Sequence, residues 1–409
     1  MNRIPATARA LCAGLVVTIL QIVVAIFLLA PEGPFEYRYH TLVQHDSHWF
    51  GNIVDRGYQT IVPPISHKMM EVSNTAFFPA YPAFAWILHR ALDLDTEDAL
   101  LITAQAAAFG FWTYFFLFGE RWNLPFNWQC LGALAIVAHP AAFFLVAAYS
   151  ESLFLMALIG FLFWSAAESR RRAGFLAAVH GIVMSATRIV GLPCALAPLI
   201  KKFCELGPAS LRSVRNWLPN YSRAILLSAT AMLGGIGFFV YCQFRWGHWD
   251  IYMLTQQFGW DIRPDYLAIF KPSNYHWLLP ELAYPTEMSQ MAMTFGALML
   301  LGMFIAEFFL PKQRPTNRSV RIVFYFAAFV LYFVSVSGVA CVNMESMLRY
   351  EFCLHPLIVL ALLHYLHNLS LRSWLGRATA MTIIALVSAA GLALESWYIW
   401  NFTRGNWVA

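Results

Sequence analysis

The chain is dominated by long, uncharged apolar runs, and these restrict its fold more than any other feature. A helix needs about 20 mostly apolar residues to cross a bilayer. Runs of that kind lie near residues 10–30, 98–119, 129–146, 150–168, 223–244, 290–310, 321–342, 350–368 and 378–399. In hydrocarbon only helices and closed barrels satisfy their own backbone. These runs are continuous rather than alternating, so they read as helices and not as barrel strands. Residues 174–200 are apolar too, but Arg188, Gly191 and Pro193 interrupt them. That stretch reads as two half-length helices meeting at a bend near Arg188. Composition agrees, with 12% charged residues in a chain of 409, against about 25% in soluble domains. So small a share cannot clothe a soluble surface, which excludes a soluble enzyme, a disordered chain and a nucleic-acid module. The seven cysteines are scattered with no CxxC or CxH spacing, which suggests neither a zinc site nor a disulfide framework. The first run is long for a cleaved leader and has no small-x-small site before Pro31, so it reads as a retained anchor.

Lys and Arg in short loops mark the cytoplasmic side. One set of loops holds 17 of the 27 basic residues, including Arg3, Arg9, Arg121, the triplet Arg170–Arg172, Lys201, Lys202 and Lys312. Only Glu120, Glu168, Glu205 and Glu307 accompany them. This face is therefore read as cytoplasmic. The opposite face collects the loops 31–97 and 245–289 and the turns 147–150 and 343–350, with the N-terminus inside and the C-terminus outside. Residues 76–92 are apolar enough to tempt a further span, but that span would carry Arg170–Arg172 outside. They are placed instead as a surface or partly inserted helix on the outer face, where Pro79 and Pro82 suit a helix start.

Several polar residues converge on that outer face, and each has a bland and a chemical reading. Asp46, about 15 residues past the first span, is either a helix cap before Ser47 or a general base in a partly dry pocket. His45 and His48 flank it, as hydrogen-bonded surface groups or as two members of a weak metal set. Arg188 interrupts an apolar stretch and cannot shed its proton, so it needs an anion. Its partner is either Asp46 or Glu151 in a structural pair, or a ligand phosphate. Arg349, in Ser346-Met347-Leu348-Arg349-Tyr350, is either a snorkelling interface residue or a bidentate phosphate clamp. Ser150 and Glu151 either cap a helix or hold a sugar. Arg56, Lys68 and the aromatic 245–289 loop face the same compartment. There is no P-loop and no Gly-rich nucleotide fingerprint. A lipid-borne substrate with a phosphate head matches this distribution.

The motifs carrying these residues resemble those of the PIG-V-type mannosyltransferases, the GPI mannosyltransferase 2 family. His45-Asp46-Ser47-His48-Trp49-Phe50-Gly51-Asn52-Ile53-Val54-Asp55-Arg56-Gly57-Tyr58 is similar to that family's WDs-x-HF-x-x-IA-x-x-GY loop. Ala76-Phe77-Phe78-Pro79-Ala80-Tyr81-Pro82 is similar to AFFPLYP. His139-Pro140 followed by Ala148-Tyr149-Ser150-Glu151-Ser152-Leu153-Phe154 is similar to NP…AYSESLF. Ser185-Ala186-Thr187-Arg188-Ile189-Val190-Gly191-Leu192 is similar to A-x-TR-x-x-GL, and Ser346–Tyr350 to SMPRY. The five occur in the same order over roughly residues 40–350. Two positions depart: His45 stands where the family has Trp, and His139 where it has Asn.

The resemblance implies an all-α polytopic membrane protein of the C-type glycosyltransferase kind, with about eleven membrane helices including two half-length ones, and loop helices on the outer face. Residues 1–409 would form one integral-membrane domain. It further implies transfer of a hexose, mannose first, from a polyprenyl-phosphate-linked donor with inversion, on the outer or lumenal face of a bacterial inner membrane or of the endoplasmic reticulum. Asp46 matches the family's loop aspartate and would be the catalytic base; Arg188 and Arg349 match basic motif positions and are expected to bind the donor phosphate. His48, Arg56, Tyr58, Tyr81, Tyr149, Glu151 and Tyr350 are the expected substrate-binding residues. The scheme requires no metal or other cofactor. The acceptor is a hydroxyl of a glycan, lipid or protein, and no nucleic acid is involved. The competing functions are a transporter or flippase of a lipid-linked sugar and a non-catalytic scaffold. A transporter commonly shows broken helices in two matched halves, and only one broken stretch is visible here.

Overall fold

The computed structural model describes residues 5–60, 73–167, 171–211, 214–276, 285–309, 318–368 and 374–408. Among them every regular element is helical. The helices are α1 (Ala6–Val23), α2 (Phe35–His40), α3 (Ser47–Arg56), α4 (Ala80–Leu92), α5 (Thr96–Arg121), α6 (Phe126–Val137), α7 (Glu151–Ser165) and α8 (Arg171–Thr187). They continue with α9 (Gly191–Cys194), α10 (Ala197–Leu206), α11 (Val214–Trp246), α12 (Ile251–Trp260), α13 (Pro285–Phe309), α14 (Arg318–Val339), α15 (Met347–Asn368) and α16 (Trp374–Phe402). Seven are long and apolar enough to cross a bilayer: Ala6–Leu29, Thr96–Arg121, Leu218–Trp246, Glu287–Phe308, Ser319–Val342, Met347–His367 and Thr382–Phe402. The chain is an integral, multi-pass membrane protein.

Against an expected count of about eleven membrane helices, two of them half-length, the described residues hold seven long spans, and part of the difference has a local reason. The run 129–146 does not form one helix, because α6 stops at Val137. Pro140 has no amide to donate and pushes His139 out of helical geometry. Residues 138–150 then fold as tight turns, with a single 3₁₀ turn at Ala142–Leu145. α7 is only 15 residues long, apolar on all sides and almost wholly buried, as a helix surrounded by protein must be. The bend near Arg188 is present. α8 ends at Thr187 and the chain turns through 188–190 into α9. Gly191 makes the turn possible, since a Cβ there would lie 2.5 Å from the Met184 carbonyl oxygen. α4, the 76–92 segment, has 13 residues, or about 20 Å at 1.5 Å per residue, and its Trp86 and Ile87 are exposed.

Irregular backbone at membrane depth is tolerated only where protein satisfies it, and here glutamines do so. Gln21 on α1 donates its Nε2 to Ala142 O at 3.4 Å, while its Oε1 accepts from Trp112 Nε1 at 2.8 Å. Gln105 on α5 donates to Val146 O at 3.3 Å. The amide of Ala148 donates to Leu42 O at 3.1 Å, tying this segment to the stretch between α2 and α3. The helices close on one another through small residues, the usual membrane device. A Cβ on Gly234 of α11 would stand 2.0 Å from Ile182 O of α8, and Ser185 of α8 donates to Ala231 O of α11 at 2.6 Å.

A buried pair clamps the 138–150 segment to α15. His139 Nε2 and Glu351 Oε2 lie 2.5 Å apart, with side chains 4% and 0% exposed. Removing one partner of a buried pair leaves an uncompensated polar group and costs about 3–5 kcal/mol, whereas removing both is often near neutral. His139→Leu is therefore expected to lower the thermal stability of the detergent-solubilised protein sharply, and the double variant His139→Leu/Glu351→Leu to regain most of it. A single variant as stable as the wild type would show that the pair does not hold the segment.

Candidate active site

Four charged side chains from four distant parts of the chain meet at one place. Asp46 stands at the start of α3, but its side chain makes no capping bond to that helix. It accepts instead from Arg349 Nη1 at 2.6 Å, across 303 residues of sequence. Arg349, in the first turn of α15, also sets its Nε 3.5 Å from Glu151 Oε1. Glu151 begins α7, and its Oε1 accepts from Arg188 Nη1 at 2.7 Å. A helix favours an anion at its N-terminus and a cation at its C-terminus. Glu151 at the head of α7 and Arg188 just past α8 obey that preference. Arg349 opposes the dipole of α15, and the two carboxylates hold it in place. Tyr149 and Tyr350 lie 5.2 and 5.1 Å from its guanidinium, ring centroid to Cζ. Arg188 meets the same Tyr350 ring at 5.1 Å.

The network forms the polar wall of a cavity of about 610 Å³. The opposite wall is apolar, with Phe77, Leu331, Phe333 and Val334. α12 closes one side. It is docked on the segment before α4 by the Thr255–Thr75 hydroxyl contact at 2.7 Å and by Gln256 Nε2 donating to Ala76 O at 3.3 Å. From α12 Tyr252 lines the cavity. Burial pushes its phenol well above the ordinary value, with Tyr350 adding to the shift and Arg188 opposing it. It therefore stays protonated. Two polar atoms of the network remain spare, because Glu151 Oε2 and Arg349 Nε are buried without a hydrogen-bond partner.

Of the residues expected from the sequence, Asp46, Tyr149, Glu151, Arg188, Arg349 and Tyr350 all line this cavity. Four others do not. His48 and Arg56 line a separate hollow of about 450 Å³, together with His40, Asn52, Asp55 and Glu97. The helical period of α3 separates them. Asp46 and Phe50 share one face, whereas His48, Asn52 and Asp55 share another. Tyr58 donates to Phe77 O at 2.6 Å and packs on Phe238. Tyr81 is fully buried, donating to Leu100 O at 2.8 Å with its ring on Phe50. Both tyrosines are packing residues and line neither hollow. Lys68 lies outside the described residues. Tyr252, Gln256 and Arg263 line the cavity but have no motif that marks them; only the aromatic character of their loop pointed that way. Among the described residues no three His, Cys, Asp or Glu side chains come together as a metal set. His45 turns away from His48, its ring edge-on to Trp407 at 4.9 Å and its Nε2 3.3 Å from Asn406 O.

No protein-family model matches the chain, and no curated protein does. Among solved structures it is similar to ArnT from Cupriavidus metallidurans, crystallised bound to undecaprenyl phosphate. The two are 13% identical over 96% of this chain and 75% of that one, with a TM-score of 0.54. The archaeal oligosaccharyltransferase AglB from Archaeoglobus fulgidus, in complex with an inhibitory peptide and a dolichol-phosphate, is 10% identical. That match covers 96% of this chain and 56% of AglB, at a TM-score of 0.48. At such identity the likeness to ArnT establishes a shared fold.

His45, packed on Trp407 beside Asp46, supplies a pH test of stability. Burial lowers its pKa below the ordinary value, against the opposing effects of the Asn406 carbonyl and Asp46, with His48 and Arg349 adding smaller lowering effects. Between the folded and ordinary values the unfolded chain binds more protons, so stability rises with pH there. The contribution is complete above about pH 6.5 and is lost as pH falls through the folded value. His45→Phe should therefore flatten the acid side of a plot of melting temperature against pH. A variant curve parallel to the wild type down to pH 4 would refute this.

Proposed function

We propose that this protein is an integral-membrane glycosyltransferase that moves a hexose from a polyprenyl-phosphate-linked donor to an acceptor hydroxyl. The observation that carries the reading is the Asp46–Arg349–Glu151–Arg188 network on the wall of one cavity, in a fold shared with a structure bound to undecaprenyl phosphate. The resemblance of the motifs adds mannose as the sugar and the PIG-V type as the nearest kind. The distribution of basic residues favours reaction on the outer or lumenal face.

The chemistry needs a base for the acceptor hydroxyl and fixed positive charge for the leaving phosphate. Asp46 takes the proton, and the acceptor oxygen bonds to the anomeric carbon. The bond from that carbon to the phosphate oxygen breaks on the opposite side of the sugar, so the configuration inverts. The departing polyprenyl phosphate keeps the electron pair. Guanidiniums in a site of low dielectric stabilise that developing charge far better than water does, and their planar forks match phosphate geometry. In the structure both arginines are occupied by carboxylates. A bound phosphate takes over Arg349 and thereby releases Asp46, so the base is freed when the donor is present. The spare Glu151 Oε2 is an acceptor for a hydroxyl of the sugar, and Tyr149 and Tyr350 flank it. Every step uses groups of this chain and the two substrates.

The test is transfer of radiolabelled mannose from a polyprenyl-phosphate donor in membranes holding the full-length protein. Asp46→Asn should cut the rate by about 10²–10⁴-fold, the usual worth of a positioned general base, with the folded protein still present. Arg349→Ala should lose transfer as well. A wild-type rate in Asp46→Asn removes Asp46 as base. Movement of the labelled lipid across the bilayer with no transfer to any acceptor would favour a flippase instead.

A further inference from the structure

The cavity's lining holds two carboxylates, Asp46 and Glu151, and three guanidiniums, Arg188, Arg349 and Arg263. Two of the three face carboxylates of the lining at 2.6 and 2.7 Å. Arg263 differs, with a side chain 68% exposed and a contact to Asp261 at 3.4 Å, itself 66% exposed. Resting on the reading above, we propose that Arg263 captures the donor phosphate at the cavity mouth.

The cost of parting each arginine from its carboxylate supports this. Separating Arg349 or Arg188 from its carboxylate exposes a buried charge, which is expensive unless a new partner is already in place. An exposed pair such as Arg263–Asp261 is worth about 0–1 kcal/mol, so it exchanges freely. An incoming anion therefore meets Arg263 first and reaches the inner arginines afterwards. The backbone that carries it is held in place. The amide of Arg263 donates to Cys341 Sγ at 3.1 Å, Cys341 Sγ in turn donates to Asp261 O at 3.4 Å, and the amide of Asp265 donates to Ser337 O at 2.8 Å. The loop is thus pinned against the end of α14.

The experiment uses the full-length protein in nanodiscs, with a polyprenyl-phosphate hexose donor and with undecaprenyl phosphate and inorganic phosphate as competitors. Arg263→Ala should raise the donor KM roughly 10- to 100-fold, the worth of one charge-assisted hydrogen bond, and change kcat far less. Arg263→Lys should recover most of the KM, and Arg263→Glu should be worse than Ala. Undecaprenyl phosphate should compete in the wild type at concentrations where inorganic phosphate does not, since the site takes the lipid head. An unchanged KM in Arg263→Ala beside a transferring wild type overturns this assignment and leaves the enzyme reading intact. Equal competition by inorganic phosphate overturns lipid-head capture. A wild type that binds no polyprenyl phosphate and transfers nothing overturns both the assignment and the function.

Discussion

The contact on which the rest depends is the salt bridge between Asp46 and Arg349, 2.6 Å long with the arginine side chain only 6% exposed. A guanidinium cannot lose its charge, so burying one demands a permanent counter-ion. Arg349 meets that demand with Asp46 and Glu151, and Glu151 passes the connection on to Arg188. The result is a closed set of two anions and two cations. No member can be withdrawn without stranding another, which ties the start of α3, α7, the bend after α8 and α15 to one point. A buried network of this kind contributes little net stability compared with an apolar packing of the same shape. It does fix register, because the elements fit together in one arrangement only.

The packing around that point follows from the same need to satisfy polar groups away from water. The turns of 138–150 lie within the bundle, where unpaired carbonyls would be costly. Gln21 and Gln105 reach them from α1 and α5, and His139 reaches across to Glu351, two residues beyond Arg349. Tyr149 and Glu151, which form the cavity wall, come directly after those turns. The glutamines and the His139–Glu351 pair thus determine where Glu151 stands relative to Arg349. Two polar motifs from far apart in the chain are held by contacts that take no part in the proposed chemistry.

Much of this is readable in the sequence, within limits set by what a one-dimensional pattern records. Hydropathy shows the long spans, because twenty uncharged residues have few other destinations. The bend at Arg188 is legible because a charge, a glycine and a proline coincide. The gathering of Asp46, Glu151, Arg188 and Arg349 on one side follows from counting spans between them. The phase of α3 is different. His48 and Arg56 lie in the same motif as Asp46 yet face another hollow. Residues near in sequence share a face only at helical spacing, and ten residues of mixed character leave that phase open. Tyr58 and Tyr81 look like binding aromatics and are core, since a tyrosine hydroxyl is satisfied as well by a backbone carbonyl as by a sugar. Tyr252 and Arg263 are illegible, because their placement depends on how α12 docks on residues 73–77, a contact between two loops separated by some 180 positions.

The resting arrangement also bears on how such a site avoids idle chemistry. On the proposed function, Asp46 stays on Arg349 until a donor phosphate takes its place. An anion entering the cavity competes with Asp46 for the same fork of N–H donors, and phosphate competes well because it accepts two of them at once. On that proposal, binding of the leaving group also loosens Asp46, because two anions share one arginine. Arg263 then brings the phosphate in, the inner pair exchanges partners, and Asp46 turns to the acceptor once the leaving group is in place.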